Sequence, residues 1–232
     1  MRTKFFIGLT ILICLFISIF FVYKNFLQLE IKKSKYPWHH NVLATQFYIG
    51  ETSNSTAWDI DAVKSYGGVD DPTHRNGYYP ASFIPKQNPF YFALPYSDLT
   101  SDGKRRDDAK LIPWYDINLD KPNYSFVKNR WIEVKYKNRT AYAQWEDCLT
   151  PFLYEKGEIV GYGGCEYFNY VFGNDAPTYP GIDISPALSD YLGMNDTIYG
   201  HKDDYVSWRF VDEEDVPPGP WKEIITTSQV NW

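Results

Sequence analysis

Two stretches decide the fold: Arg139 to Phe152, RTAYAQWEDCLTPF, and Gly181 to Met194, GIDISPALSDYLGM. In the first, Ala141, Ala143 and Trp145 alternate with Tyr142, Gln144 and Glu146, the period-2 pattern of a strand. The strand ends on Asp147, and Pro151 cannot donate to a continued ladder. In the second, Ser185 is predicted to cap a helix and Pro186 suits its first position. Leu188, Tyr191 and Leu192 share one helical face, and Gly193 suits the position just past the end. The two pieces are therefore a strand that runs into an acid-bearing turn, and a strand end that feeds a short helix.

Working outward, further strands are predicted at Val42 to Gly50, Phe90 to Tyr96, Trp131 to Tyr136 and Val206 to Val211. Lys137-Asn138-Arg139 joins the Trp131 strand to the opening stretch as a hairpin. Ile112 to Trp114 reads as a brief strand and Glu223 to Thr227 as a last one. Thr100 to Lys110, TSDGKRRDDAK, is a loop of mixed charge and reads as a solvated turn. Leu153 to Tyr167 is glycine-rich and reads as an inserted loop. Many short strands, Pro/Gly turns and few helix signals predict a mainly β protein with short helices and long loops, built as a barrel. No repeat of 20 to 50 residues is visible, which argues against a solenoid or propeller.

The chain of 232 residues carries a net charge of −6, which excludes the basic surface a nucleic-acid partner selects. Phe5 to Tyr23 is an uncharged apolar run long enough to cross a bilayer. No small-residue cleavage site follows it, so it reads as an uncleaved anchor. Residues 1–24 are then an N-terminal transmembrane helix in the inner or plasma membrane. Residues 25–41 form a stalk, and residues 42–232 form a periplasmic or extracellular domain. Cys148 and Cys165 are the two cysteines outside the apolar run. A disulfide between them would close a loop of about 18 residues, contribute roughly 3 kcal/mol, and fit an oxidising compartment. Two cysteines without a matching His pair make no zinc site of standard spacing. No phosphate loop, G-x-S-x-G or His-Glu-x-x-His motif is present, so neither a metal nor a cofactor is expected.

Three motifs together resemble the double-psi β-barrel domain of the rare lipoprotein A group. That family carries a strand ending in an Asp-Arg-Gly-Pro-Phe turn, similar here to Asp147 followed by Pro151-Phe152. Its strand and helix Ile-Asp-Leu-Ser-(Pro/Lys)-Ala-Ala, then Leu-Gly-Met, is similar to Ile182-Asp183-Ile184-Ser185-Pro186-Ala187 and Leu192-Gly193-Met194. Its Ala-Ala-His-x-x-Leu-Pro-Phe is similar to Ala93-Leu94-Pro95-Tyr96. The resemblance implies a six-stranded double-psi-like β-barrel. It also implies a partner: peptidoglycan or another polysaccharide of the cell envelope.

Some members of the family are lytic transglycosylases, which need a carboxyl with a raised pKa to protonate the glycosidic oxygen. Carried onto this chain, the resemblance makes Asp147 the candidate general acid/base, with Asp71 as a partner acid. Trp145, Tyr91, Glu146 and Asp70 are the candidates for lining a sugar-binding groove. Asp183 and Ser185 are expected to brace the barrel and the helix start. The chain departs from the family pattern at three points. No His stands near Tyr91, Cys148-Leu149-Thr150 replaces the Arg-Gly of the turn, and the inserted loop comes directly after. Those departures make glycan binding the first expectation and glycan cleavage the alternative. A structural or partner-binding envelope protein is the third.

Overall fold

The structure is a computed structural model of the chain. It describes residues 17, 18, 20, 35–51, 57–156, 158–194 and 204–229. Nearly all of the predicted anchor at residues 5–23, and the stalk as far as residue 34, lie outside the described residues. Among those described, no helix is long and apolar enough to cross a membrane. The chain divides into two compact units, Met1–Lys35 and Tyr36–Trp232.

The second unit is mainly β. In chain order it holds β1 (His39–Gln46), α1 (Ala57–Tyr66), β2 (Arg75–Asn76), β3 (Tyr79–Pro80), β4 (Tyr91–Leu94), β5 (Trp131–Tyr136) and β6 (Arg139–Cys148). Then come β7 (Phe152–Glu155), β8 (Glu158–Tyr162), α2 (Phe168–Phe172), β9 (Ile182–Ile184), α3 (Pro186–Leu192) and β10 (Tyr205–Val211). Six strands close into a barrel in the order β1-β10-β5-β6-β4-β9, while β2–β3 and β7–β8 form separate two-stranded sheets. Two of the barrel contacts are parallel, β1 with β9 and β4 with β6. The other four are antiparallel. Closure leaves the barrel no free edge.

The barrel interior is aromatic. Trp145 stacks on Phe210 with ring centroids 5.9 Å apart, and Phe210 stacks on Phe172 at 5.5 Å. Phe92 and Ile132 are fully buried in the same core. Helix α3 forms as its sequence dictates. The Ser185 hydroxyl accepts from the Leu188 N–H at 3.2 Å, Pro186 stands in the first turn, and Gly193 closes the helix at φ 68°.

Several expectations shift. The compact unit starts at Tyr36, whose ring packs edge-on against Trp114 and Phe210, so it takes in residues 36–41 that the sequence assigns to the stalk. Residues 112–114 come after a 3-10 turn, Asp107–Leu111, and form no strand.

Residues 223–227 also form no strand, because this segment bonds to side chains in place of a ladder. Gln144 holds it. Its carbonyl oxygen accepts from the Thr226 N–H at 2.8 Å and from the Asn88 amide at 2.9 Å, and its own amide donates to the Thr226 carbonyl at 2.9 Å. The C-terminal segment thereby buries the face of β6 that the alternating pattern assigns to solvent.

Gln144→Leu keeps the volume but strands both Thr226 backbone groups and leaves the Asn88 amide with only its bond to the Trp221 carbonyl. Each stranded buried group costs about 1–3 kcal/mol. The expected outcome is an unfolding free energy in urea lowered by a few kcal/mol, with Thr226 amide exchange accelerated more than that of β5. Unchanged exchange at Thr226 would contradict this role.

Candidate functional site

Strand β4 positions the site. Its four residues, Tyr91–Leu94, are all buried, as a strand paired on both sides and covered on both faces must be. Ala93 stands opposite Asp147 on β6 and opposite Asp183 on β9. On the β6 side the register shifts between Phe92 and Ala93: Phe92 faces Trp145, and Ala93 faces Asp147. Glu146 is the extra residue, and such a bulge re-aims the side chain that comes after it. The row Asp147–Ala93–Asp183 thus crosses three adjacent strands, with only a methyl group between the acids. Two strand spacings put their backbones about 10 Å apart.

The two carboxyls sit in different surroundings. Asp183 has an oxygen sealed from solvent that accepts no hydrogen bond. Burial, reinforced by the negative charges of Asp147 and Glu51, pushes its pKa from 3.8 up to about 8. Asp147 is half-buried. Its Oδ1 accepts from the Cys148 N–H at 2.6 Å, and its carbonyl accepts from the Trp145 indole at 2.7 Å. It lines an open cavity of about 1080 Å³. Asp183 is therefore an acid that keeps its proton at neutral pH, set beside a carboxylate that meets solvent.

The cavity is walled by the loop from Ser97 to Gly103, by Arg106 and Asn123, by the Cys148–Cys165 disulfide, and by Gln229 of the C-terminal segment. A buried carboxylate fixes the first wall. Asp98 pairs with Arg105, accepts from the Phe126 N–H at 2.7 Å and takes the Ser125 hydroxyl at 2.6 Å. Burial raises the Asp98 pKa against the pull of these donors. The mixed-charge loop is thus anchored from inside, while the sequence reads it as a solvated turn.

Four residues expected to line the groove are inside the protein. Trp145 is wholly buried in the barrel. Tyr91 is also fully buried, donating its hydroxyl to Asp70 at 2.9 Å and accepting from the Ile49 N–H at 3.1 Å. Asp70 has no exposed surface and is ion-paired with Arg75. Glu146 is buried against Lys128 at 3.0 Å, and burial pushes its pKa up. None of the four presents a face to a sugar.

Asp71 is half-buried and lines a different, smaller cavity of about 420 Å³ with His74 and Ser82. Its Oδ1 takes the Thr73 hydroxyl at 2.7 Å and the Thr73 N–H at 2.8 Å, and its Oδ2 meets His74 at 3.0 Å. Those bonds hold its pKa below the usual range. The acid brought beside Asp147 is Asp183. Ser185 caps α3 and also takes the Tyr91 N–H at 3.2 Å, which ties the helix start to β4.

Among the described residues, no group of three or more His, Cys, Asp or Glu side chains could hold a metal ion. No protein-family model and no curated protein matches the chain. Fold and site define a mainly β protein with a closed six-stranded barrel, in which Asp147 and Asp183 flank Ala93.

The Asp183 shift carries a stability consequence with a definite sign. The folded form holds this proton up to about pH 8 and the unfolded chain only to 3.8, so this group lowers stability progressively across that window as pH rises. Asp183→Asn removes the penalty. Its melting temperature is expected to match that of the wild type near about pH 4 and to exceed it increasingly toward about pH 8. A difference that stays constant with pH would contradict the assignment.

Proposed function

We propose that this chain is an exported, membrane-anchored envelope protein that cleaves glycan by acid–base chemistry of the lytic transglycosylase type. The observation that carries this reading is the pair of carboxyls flanking Ala93, one protonated at neutral pH and the other open to a cavity. Environments that push two acids apart are the usual way one site obtains both an acid and a base. The double-psi-like reading of the barrel is supported by its two parallel contacts and by the capped helix directly after β9. The resemblance to the rare lipoprotein A group points to peptidoglycan as the glycan. The apolar run at residues 5–23 supports the anchor, and the disulfide fits an oxidising compartment.

In this mechanism Asp183 gives its proton to the glycosidic oxygen as the bond from C1 to that oxygen breaks. The Asp147 carboxylate stabilises the positive charge that develops on the ring. The 6-hydroxyl of the same sugar then attacks C1 and returns its proton to Asp183. An anhydro-sugar end forms, the acid is restored, and no water is consumed. A second reading, glycan binding without turnover, rests on the sealed oxygen of Asp183.

The full chain in detergent, incubated with purified peptidoglycan, is expected to release anhydro-sugar ends. Asp183→Asn and Asp147→Asn are each expected to slow release about 100-fold or more. Retention of the glycan without products would favour the second reading. Release at the wild-type rate by both variants would overturn the role given to the pair.

A further inference from the structure

We propose that Glu166 is a substrate-contacting residue of this cavity, set on the wall that the inserted segment adds. The inference rests on the glycan-cleavage reading and extends it to a third carboxylate. Glu166 lines the same cavity as Asp147. The disulfide holds the α-carbons of Cys148 and Cys165 6.1 Å apart. Asp147 and Glu166 are the chain neighbours of those cysteines, so their α-carbons are no more than about 14 Å apart.

The backbone around Glu166 is pinned. The Cys165 carbonyl accepts from the Ser97 N–H at 3.0 Å, and the Tyr167 N–H donates to the Pro95 carbonyl at 3.0 Å. Tyr96 and Glu166 form a bridge between these two bonds. The side chain, by contrast, is exposed and has no hydrogen-bond or ion-pair partner among the described residues. It lies over Gly164, where an added Cβ would come within 3.1–3.3 Å of three carboxyl atoms. A fixed backbone that presents an unpartnered carboxylate to a cavity is how a ligand contact is built.

The cavity's other charged groups single out Glu166. Asp102 is neutralised by Lys104 at 2.6 Å and takes the Thr100 hydroxyl at 2.5 Å. Arg106 lines the cavity as well, with a buried Nε that makes no hydrogen bond. Glu166 is left to accept from sugar hydroxyls and to offer its negative charge to the ring as positive charge develops there. Glycan cleavage often works a ring between two carboxyl walls, and here the second wall comes from the disulfide-closed insertion.

The test compares Glu166→Gln and Glu166→Ala with the wild-type full chain, each with the disulfide verified by mass. Two readouts are taken on purified peptidoglycan: retention in a pull-down and release of sugar ends. Glutamine keeps the hydrogen bonding and loses the charge. Glu166→Gln is expected to retain glycan within about twofold of wild type and to release products at least about tenfold more slowly. Glu166→Ala is expected to lose both. Variants that retain and cleave like the wild type overturn the proposal while leaving the cleavage reading intact. A wild type that retains glycan without products overturns the cleavage reading. Retention then decides on Glu166: its loss in Glu166→Ala supports the contact, and unchanged retention overturns it. A wild type that does neither overturns both.

Discussion

Strand β4 is the constraint on which the site depends. It is four residues long, fully buried, parallel to β6 on one side and antiparallel to β9 on the other. Side chains alternate along a strand, so a slip of one residue in either pairing would turn an acid into the core and an apolar residue out. The core blocks such a slip. Ile182 and Ile184 are fully buried on either side of the half-buried Asp183, so reversing β9 would expose them, and Phe92 and Trp145 would lose their packing against each other. The hydrophobic pattern of three short strands therefore fixes where two carboxyls stand.

The bulge at Glu146 is the other half of that arrangement, and it has an electrostatic cost. An extra residue with a charged side chain enters a closed barrel wall. Removing a carboxylate from water is expensive unless it is paired. Lys128 supplies the pair at 3.0 Å, both side chains being almost entirely buried. Glu146 is therefore best understood as the support that turns Asp147 outward, not as a contact for sugar. The neighbouring Gln144 plays a similar part for the C-terminal segment, which ends its described course with Gln229 on the cavity wall.

Much of this was legible in the residues, and some of it was not. The period-2 pattern of Ala141, Ala143 and Trp145 shows strand β6, and Ser185-Pro186 with Gly193 shows helix α3 with both its ends. Cys148 and Cys165 could be paired by elimination. The expectations that fail share one cause: nearness in sequence is not nearness at a surface. Trp145 is two residues from Asp147, and an unbroken pleat would put both on one face, but the bulge at Glu146 turns Asp147 out while the ring stays in the core. Asp71 and Asp70 are adjacent, yet one is half-buried beside Thr73 and the other is locked to Arg75 and Tyr91. That Asp183 stands one strand beyond Ala93 is a fact of strand order, to which no local pattern gives access. The anchoring of Asp98 by Phe126 and Ser125 likewise joins segments 27 and 28 residues apart.

Asp183 keeps its proton at neutral pH because its carboxyl is sealed from solvent and faces the negative charge of Asp147. A carbon-13 titration of the aspartate side-chain carboxyls, with Asp183 assigned through Asp183→Asn, tests it directly. A midpoint of about 8 is expected for Asp183, moving down in Asp147→Asn. A midpoint near 4, indifferent to residue 147, would contradict it.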